Sequence, residues 1–290
     1  MTGGAAPRRI TTPDGVELAL HRLRAFRDGR PAILLVHGAF TNHRFWLHTP
    51  GGTNDPSAGG LAHFLGAAGF DVWLADLRHH GESAREPRRG AWTFEDWVLQ
   101  DAPTFVARVR EETDGAPLAW LGHSAGGAAG LCWLARVAAA APIRAVVTLG
   151  TPGPRRLGPV RRTLAGLTIA VSRVLGRFPA RALRFGNEDE APEIIAEWME
   201  WNVRGAWMGN DAFDYFAGLA SVSIPYLGVA GTADRIFAPP KACRQVVDRV
   251  GATRKALVVE RGLTHAGLVL DPRARETCWP HIVSWLKDTL

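Results

Sequence analysis

Long apolar runs and cysteines are both scarce in this chain. None of its 290 residues belongs to an apolar run that approaches the length of a membrane span, and the first nine residues lack the apolar core of a signal peptide. The cysteines Cys132, Cys243 and Cys278 are far apart and match no zinc or redox spacing, which predicts buried free thiols. We therefore expect a soluble protein of the cytoplasm.

Lysine is also nearly absent, because Lys241, Lys255 and Lys287 are the only lysines and the net charge of +6 comes from arginine. The arginines are spread along the chain without zinc-finger spacing or interleaved aromatics, so nucleic acid is not an expected partner. One exception is the stretch 155–187, which holds eight arginines and no acidic residue. It predicts either a weak contact with an anionic surface, such as lipid or an acyl carrier, or a solvated helix face, and the sequence favours the solvated face.

Short apolar runs that alternate with helix-like segments make up most of the chain. The runs are Pro31 to Val36, Asp71 to Ala75, Leu118 to Leu121, Ala145 to Leu149, Pro225 to Ala230 and Ala256 to Val259. The helix-like segments are Leu61 to Ala67, Phe94 to Glu111, Ala125 to Ala138, Pro240 to Val250 and Arg275 to Leu290. This alternation predicts an α/β fold with a mostly parallel sheet flanked by helices, preceded by a hairpin of Arg8 to Thr12 and Val16 to Arg24.

About seventy residues without strand character separate the runs that end at Leu149 and begin at Pro225. Leu164, Leu167, Val171 and Val174 recur there at helical spacing, and a second helix is predicted to start near Pro192. We interpret residues 151–223 as a helical cap inserted into a core formed by residues 1–150 and 224–290.

The segment from Leu118 to Gly127 is an apolar run that stops at a serine between glycines and continues into small residues. This pattern is typical of a nucleophile elbow, a sharp strand-to-helix turn that leaves the hydroxyl of Ser124 accessible.

A serine needs an imidazole to take its proton and an acid to orient that imidazole. Asp234 follows the run that ends at Ala230, and His265 follows the last run, so both are expected at strand ends beside Ser124. Ala125 and Ala39, with Phe40 as the alternative to Ala39, are predicted to donate backbone N–H groups to an oxyanion.

These segments together resemble the α/β-hydrolase superfamily over nearly the whole chain. The matching segments are VHGAF, GFDVWLADLRHHGES, WLGHSAGG, VVTLGTP, GVAGTADRI and LTHAGLV. The resemblance implies an eight-stranded sheet, the triad Ser124, Asp234 and His265, and a substrate pocket roofed by the cap. The chain departs from the family pattern at His79, where a glycine is usual, so this residue must tolerate a positive φ or the turn must differ.

Other polar and aromatic residues give weaker predictions. Five histidines cluster in the early loops without a metal-binding motif, so we expect no metal and no cofactor. The expected substrate contacts are His123 in the elbow and Trp198, Trp201 and Trp207 in the cap.

A serine nucleophile disfavours haloalkane dehalogenases and epoxide hydrolases, which resemble this chain but use an aspartate at the elbow. The expected function is therefore a serine hydrolase, similar to esterases and lipases, that cleaves carboxylic esters of apolar acyl or aromatic substrates through an acyl-enzyme. A thioesterase acting on acyl-carrier or CoA thioesters is the second possibility. Carbon–carbon bond hydrolases and cofactor-free perhydrolases rank after these two. A non-catalytic protein that binds a small molecule on the same fold would carry the same motifs. The sequence leaves the oligomeric state open.

Overall fold

A computed structural model describes residues 6–23, 29–50, 59–85 and 92–290. Eight strands form one sheet in the order β1-β2-β4-β3-β5-β6-β7-β8. Their bounds are Arg8–Thr11 (β1), Glu17–Arg22 (β2), Ala32–Val36 (β3), Asp71–Asp76 (β4), Leu118–His123 (β5), Ala145–Leu149 (β6), Tyr226–Gly231 (β7) and Lys255–Glu260 (β8). The eight-stranded, mostly parallel sheet that the sequence predicted is confirmed.

The pairing is antiparallel only at one side of the sheet. β1 pairs with β2, and β2 with β4, in antiparallel register, whereas the strands from β4 to β8 are parallel. The turn between β1 and β2 contains Gly15 at a φ of +83°, as expected for the predicted hairpin. Arg24, the predicted end of this hairpin, lies outside the described residues.

The helices lie between the strands and after the last one. They are Arg44–Leu47 (α1), Leu61–Ala67 (α2), Phe94–Asp96 (α3), Ala102–Glu112 (α4), Ala125–Val137 (α5), Pro159–Val174 (α6), Pro192–Arg204 (α7), Tyr215–Gly218 (α8), Pro240–Arg249 (α9), Gly267–Leu270 (α10), Pro272–Glu276 (α11) and Cys278–Lys287 (α12). A π-helical turn, Trp97–Asp101, joins α3 to α4, and short 3₁₀ turns follow α5 and α8. None of the described helices combines the length and the hydropathy that crossing a bilayer requires.

Two apolar cores cover the two faces of the sheet. One contains Trp73, Trp120 and Phe105, and the other contains Leu35, Leu121 and Trp279. Because β3 and β5 are buried along their whole length, both read as continuous apolar runs. Cys132, Cys243 and Cys278 are buried free thiols.

The segment between β6 and β7 carries α6, α7 and α8 and no strand of the sheet. Helix α7 starts with Pro192 at its first turn, where a missing N–H costs no hydrogen bond. Helix α6 packs on α7, yet much of its apolar side is open to solvent. We call α6, α7 and the loops that connect them the cap.

Candidate active site

The turn between β5 and α5 places Ser124 in a strained conformation. Its φ is 50° and its ψ is −118°, a region that L residues rarely occupy. A Cβ on Gly126 would lie 2.1 Å from the carbonyl oxygen of His37, and one on Gly122 would lie 2.5 Å from Gly127 Cα. Only glycine fits at these two positions, and Ser124 is thereby held at the wall of a cavity.

Asp234 and His265 form a short contact on the loops that follow β7 and β8. The distance from His265 Nδ1 to Asp234 Oδ2 is 2.6 Å. The carboxylate also accepts the backbone N–H groups of Phe237 and Ala238, each at 3.0 Å. Burial alone would raise the pKa of Asp234, but His265 and these two N–H groups lower it below its usual value. An ionised carboxylate accepts a hydrogen bond from Nδ1–H and so keeps the proton of a neutral imidazole on Nδ1, which leaves the lone pair of Nε2 available to act as a base.

The backbone around Ser124 lies against His265. The N–H of Ser124 donates to the carbonyl of Leu149 at 2.8 Å, and a Cβ on the next residue, Gly150, would lie 3.0 Å from His265 Nδ1. The ring of His123 lies 4.7 Å from the ring of His265, measured between centroids. The structure therefore brings the three residues predicted as a triad to one edge of the sheet.

A cavity of about 630 Å³ opens at Ser124. Its walls combine the loop after β3, the elbow, the cap and the loop after Asp234. The aromatic and aliphatic lining includes Phe40, Phe94, Leu164, Phe178, Leu183, Phe185, Ile194, Ile195, Trp198, Met199, Ile236 and Phe237. A mainly apolar concave site of this size is typical of small-molecule binding.

A model of the alpha/beta hydrolase family matches residues 33–277. The chain belongs to the α/β-hydrolase family. Lipase member N of Mus musculus is 28% identical over 130 residues, which cover 40% of this chain and 31% of the mouse protein. Putative esterase YheT of Escherichia coli (strain K12) is 29% identical over 147 residues, 50% of this chain and 39% of that protein. The chain thus spans about a third of the length of the curated relatives it matches.

Solved structures share the fold over nearly the whole chain. A monoacylglycerol lipase of Paleococcus ferrophilus has a TM-score of 0.63 at 20% identity and covers 93% of this chain and 98% of its own. A thermophilic esterase from Thermogutta terrifontis has a TM-score of 0.67 at 18% identity and covers 98% of this chain and 99% of its own. At these identities the likeness shows the α/β-hydrolase fold.

The residues predicted to bind an oxyanion all line the cavity of this α/β hydrolase. They are Ala39, Phe40 and Ala125. Ala125 is the first residue of α5, where a backbone N–H has no partner within the helix. Phe40 has a φ of 69°, and its carbonyl accepts the N–H of Glu188 in the cap at 2.9 Å. The N–H groups of Ala39 and Ala125 stay our predicted donors, with Phe40 as the alternative.

One of the four predicted substrate contacts lines the cavity and three do not. Trp198 lines the cavity, but Trp201 and Trp207 do not. Trp201 is 4% exposed and donates its indole N–H to the carbonyl of Met208, and Trp207 is 1% exposed in the same core. Both rings face the core rather than the cavity. Apart from Phe40, sequence reasoning missed the phenylalanines of the cavity because they come from three separate segments and share no motif. They are Phe94, Phe178, Phe185 and Phe237.

His123 is buried behind the triad rather than in the cavity wall. It is 4% exposed, packs on Phe45 and Trp46, and its Nε2 lies 3.2 Å from the carbonyl oxygen of His265. Burial, and then the charge of His265, lower its pKa to about 3. A neutral His123 therefore supports the His265 loop from below and does not contact the cavity.

His79, the departure from the family pattern, adopts a φ of 73°. Its ring Nδ1 lies 3.0 Å from the carbonyl oxygen of Arg85, and its ring packs edge-on against Trp92. The neighbouring Gly81 is needed more strictly, because a Cβ there would lie 2.1 Å from the carboxylate of Asp76. The turn therefore keeps the positive φ, and His79 tolerates it.

Three side chains near this turn have the donor types of a metal site. Ligand atoms of His21, His43 and Glu82 lie within 4.8 Å of one another. The two imidazoles are stacked at 3.8 Å with an interplanar angle of 24°, and each already directs a nitrogen to Asp76 Oδ2. Nearly parallel rings do not aim their lone pairs at one point, so this arrangement is better suited to holding Asp76 than to holding an ion.

Proposed function

We propose that this chain is a serine hydrolase that cleaves carboxylic esters of apolar acyl or aromatic substrates through an acyl-enzyme. The 2.6 Å contact between His265 and Asp234, together with Ser124 at the wall of an apolar cavity, carries this proposal. The proteins that the chain is similar to include lipases and a putative esterase, which agrees with ester hydrolysis.

Each residue has one role in the proposed reaction. Ser124 Oγ attacks the ester carbonyl carbon while its proton passes to His265 Nε2. The carbonyl oxygen becomes an oxyanion that accepts the N–H groups of Ala125 and Ala39. Collapse of this intermediate breaks the ester bond, and the departing alcohol takes the proton from His265. Water then attacks the acyl-enzyme by the same route, which releases the acid and restores Ser124.

The first test is hydrolysis of p-nitrophenyl acyl esters by the purified chain. We expect Ser124→Ala to lower kcat by roughly 10⁴- to 10⁶-fold, as losses of such nucleophiles do. Ser284→Ala is the matched control, because this exposed serine lies on α12, outside the cavity. If a fluorophosphonate labels the native chain but not Ser124→Ala, Ser124 is identified as the nucleophile.

The alternatives give different results in the same assays. A thioesterase would show a higher kcat/KM on a sulfur ester than on the matched oxygen ester. A binding protein would show neither turnover nor labelling, while still binding a ligand. Either outcome would replace the proposed activity.

We also propose that the cap makes a weak contact with an anionic lipid surface. Val160, Leu164, Leu167, Val171 and Val174 are spaced by four and three residues, so they share one side of α6, and they are 44% to 87% exposed. A contiguous exposed apolar surface of this kind marks an interaction site. Leu164 also lines the cavity, so this surface continues to the cavity mouth.

The charges around this apolar side favour lipid over a second copy of the chain. Arg161 and Arg184 form no ion pair within the described residues, whereas Arg173 pairs with Glu193 and Arg177 with Asp189. Two copies packed through α6 would bring unpaired arginines together, which is unfavourable. Anionic head groups would neutralise Arg184 while α6 buries its apolar side chains.

Vesicle sedimentation tests this contact. Vesicles containing phosphatidylglycerol should bind the chain more tightly than pure phosphatidylcholine vesicles, and Arg184→Gln should weaken binding about fivefold, the effect of roughly one surface charge. Leu167→Asp should weaken it as well, and Arg244→Gln on α9 is the control. Equal binding to both vesicle types, or a dimer that Leu167→Asp dissociates, would contradict the proposal.

A further inference from the structure

The cavity has an unusual balance of charge for an apolar site. Arg155, Arg161 and Arg235 line it together with the aromatic and aliphatic side chains, and no acidic residue is among its described lining. Arg161 and Arg235 are exposed, whereas Arg155 is half-buried, and a half-buried cation costs desolvation free energy unless a partner offsets it. A purely apolar ester offers no such partner.

Arg155 is the best placed of the three to meet a ligand. It is half-buried, and its Nη2 donates to the carbonyl of Ile236 at 2.8 Å. Its Nε is buried and has no hydrogen-bond partner within the described part of the chain. Buried N–H donors are nearly always paired in native proteins, so this unpaired donor indicates that an acceptor is missing beside Arg155.

The neighbours of Arg155 do not supply that acceptor. Burial, and then the positive charge of Arg161, lower the pKa of Arg155, while the charge of Asp234 acts in the opposite direction. Both oxygens of Asp234 are already occupied by His265 and by the N–H groups of Phe237 and Ala238. Arg161 and Arg235 form no ion pair among the described residues.

We propose that the substrate is an ester carrying a carboxylate, and that Arg155, Arg161 and Arg235 bind this carboxylate inside the cavity. The inference rests on the proposed function, which it narrows to one class of substrate. Guanidinium groups recognise carboxylates through paired hydrogen bonds, and Arg155 Nε is one donor of such a pair. The apolar wall then holds the rest of the acyl or aromatic part.

Matched ester pairs test the inference. On the acyl side, mono-p-nitrophenyl adipate and p-nitrophenyl hexanoate have the same chain length and differ by the terminal carboxylate. On the alcohol side, 4-acetoxybenzoate and phenyl acetate differ in the same way. We expect the ratio of kcat/KM, anionic over neutral, to fall about tenfold or more in Arg155→Gln for one of the two pairs, since a hydrogen bond to a charged group is worth this much.

Three further variants sharpen the result. Arg155→Lys keeps the charge and loses the planar guanidinium group, so its anionic-over-neutral ratio of kcat/KM should lie between those of the native chain and Arg155→Gln. Arg161→Gln should lower the same ratio, and should do so even if Arg155→Gln does not fold. Arg244→Gln removes one exposed arginine on α9, outside the cavity lining, and should leave the ratio at the native value.

Calorimetry keeps the inference separate from the proposed activity. Adipate should bind the native chain more tightly than hexanamide, and Arg155→Gln should lose about tenfold of this preference. One outcome would overturn the inference and leave the esterase proposal standing. In that outcome the chain cleaves neutral esters, no arginine variant alters the anionic-over-neutral ratio of kcat/KM, and adipate binds no more tightly than hexanamide. Adipate binding that depends on Arg155 without any turnover would support the inference and overturn the esterase proposal.

Discussion

At the scale of single residues, Gly126 connects the elbow to the loop that is predicted to bind the oxyanion. Its Cα faces the carbonyl oxygens of Val36 and His37, which a Cβ would approach to 2.5 and 2.1 Å. Backbone cannot retreat as a flexible side chain can, so a larger residue must push α5 away from β3. The position of Ala125 N–H relative to Ala39 depends on this close approach.

We expect Gly126→Ala to destabilise the chain by about 1–3 kcal/mol, the usual cost of overpacking, and to lower kcat on p-nitrophenyl esters. Urea unfolding and the ester assay measure the two effects. Gly166→Ala on α6 is the matched control, because an added Cβ there meets nothing within 4 Å. Alanine inside a helix should stabilise it by about 0.5–1 kcal/mol relative to glycine. Equal effects of the two substitutions would contradict this account.

At the scale of elements, the strands follow the sequence more closely than the helices do. The predicted run Ala145 to Leu149 matches β6 at both ends, and the other core runs agree within two residues. The strands β3 to β7 are buried at every residue, so their continuous apolar runs mark their length, whereas β8 at the edge of the sheet is partly exposed.

Proline explains where the helices depart from the sequence prediction. The single C-terminal helix predicted from Arg275 to Leu290 is split into α11 and α12. Pro280 has no N–H and its ring would clash with the carbonyl of Glu276, so a continuous helix is unfavourable there. In the same way, Pro103 follows the π-helical turn Trp97–Asp101 inside the segment predicted as one helix from Phe94 to Glu111.

At the scale of the whole molecule, buried charges join the cap to the core. His80 Nε2 of the core lies 3.2 Å from Glu190 Oε2 of the cap, and both side chains are fully buried. Burial would lower the pKa of His80, but the charge of Glu190, the hydrogen bonds to Glu190 and to the carbonyl of Arg78, and the charge of Glu188 together outweigh it, and the pKa is raised. Burial, and then the charge of His80, lower the pKa of the nearby His37 to about 4. Of these two histidines, His80 therefore carries the positive charge that faces Glu190.

This pair predicts a pH dependence of stability. A raised pKa in the folded chain means that the stabilisation is fully present below the unfolded value of about 6.5 and is lost as the pH rises through the folded value. In Glu190→Gln the free energy of unfolding should no longer fall as the pH rises through the folded pKa of His80. At pH 6 it should be lower than that of the native chain by about 3–5 kcal/mol, as expected for a broken buried pair.

The check is urea unfolding of the native chain and of Glu190→Gln, from below the unfolded pKa of histidine, about 6.5, to above the folded pKa of His80. Glu260→Gln is the comparison, because its partner His281 is exposed and the same exchange should cost about 1 kcal/mol or less. Parallel pH profiles for the native chain and Glu190→Gln would refute the role of His80.

The sequence by itself determined the fold class, the family and the order of the chemically important residues. Glycine spacing around Ser124 and continuous apolar strands are local patterns, so they are visible without coordinates. The compartment stays a prediction, and so do the roles of Ser124, Asp234, His265, Ala39, Ala125 and Phe40.

Only the tertiary structure decided which side chains face the cavity. Trp198 and Trp201 lie one helical turn apart on α7, yet one lines the cavity and the other packs in the core. The cavity wall joins Phe40, Arg155 and Phe237 from distant segments, and α6 exposes an apolar side that its pattern alone would place inside. Periodicity tells which residues share a face, but only the packing of the other elements tells what that face meets.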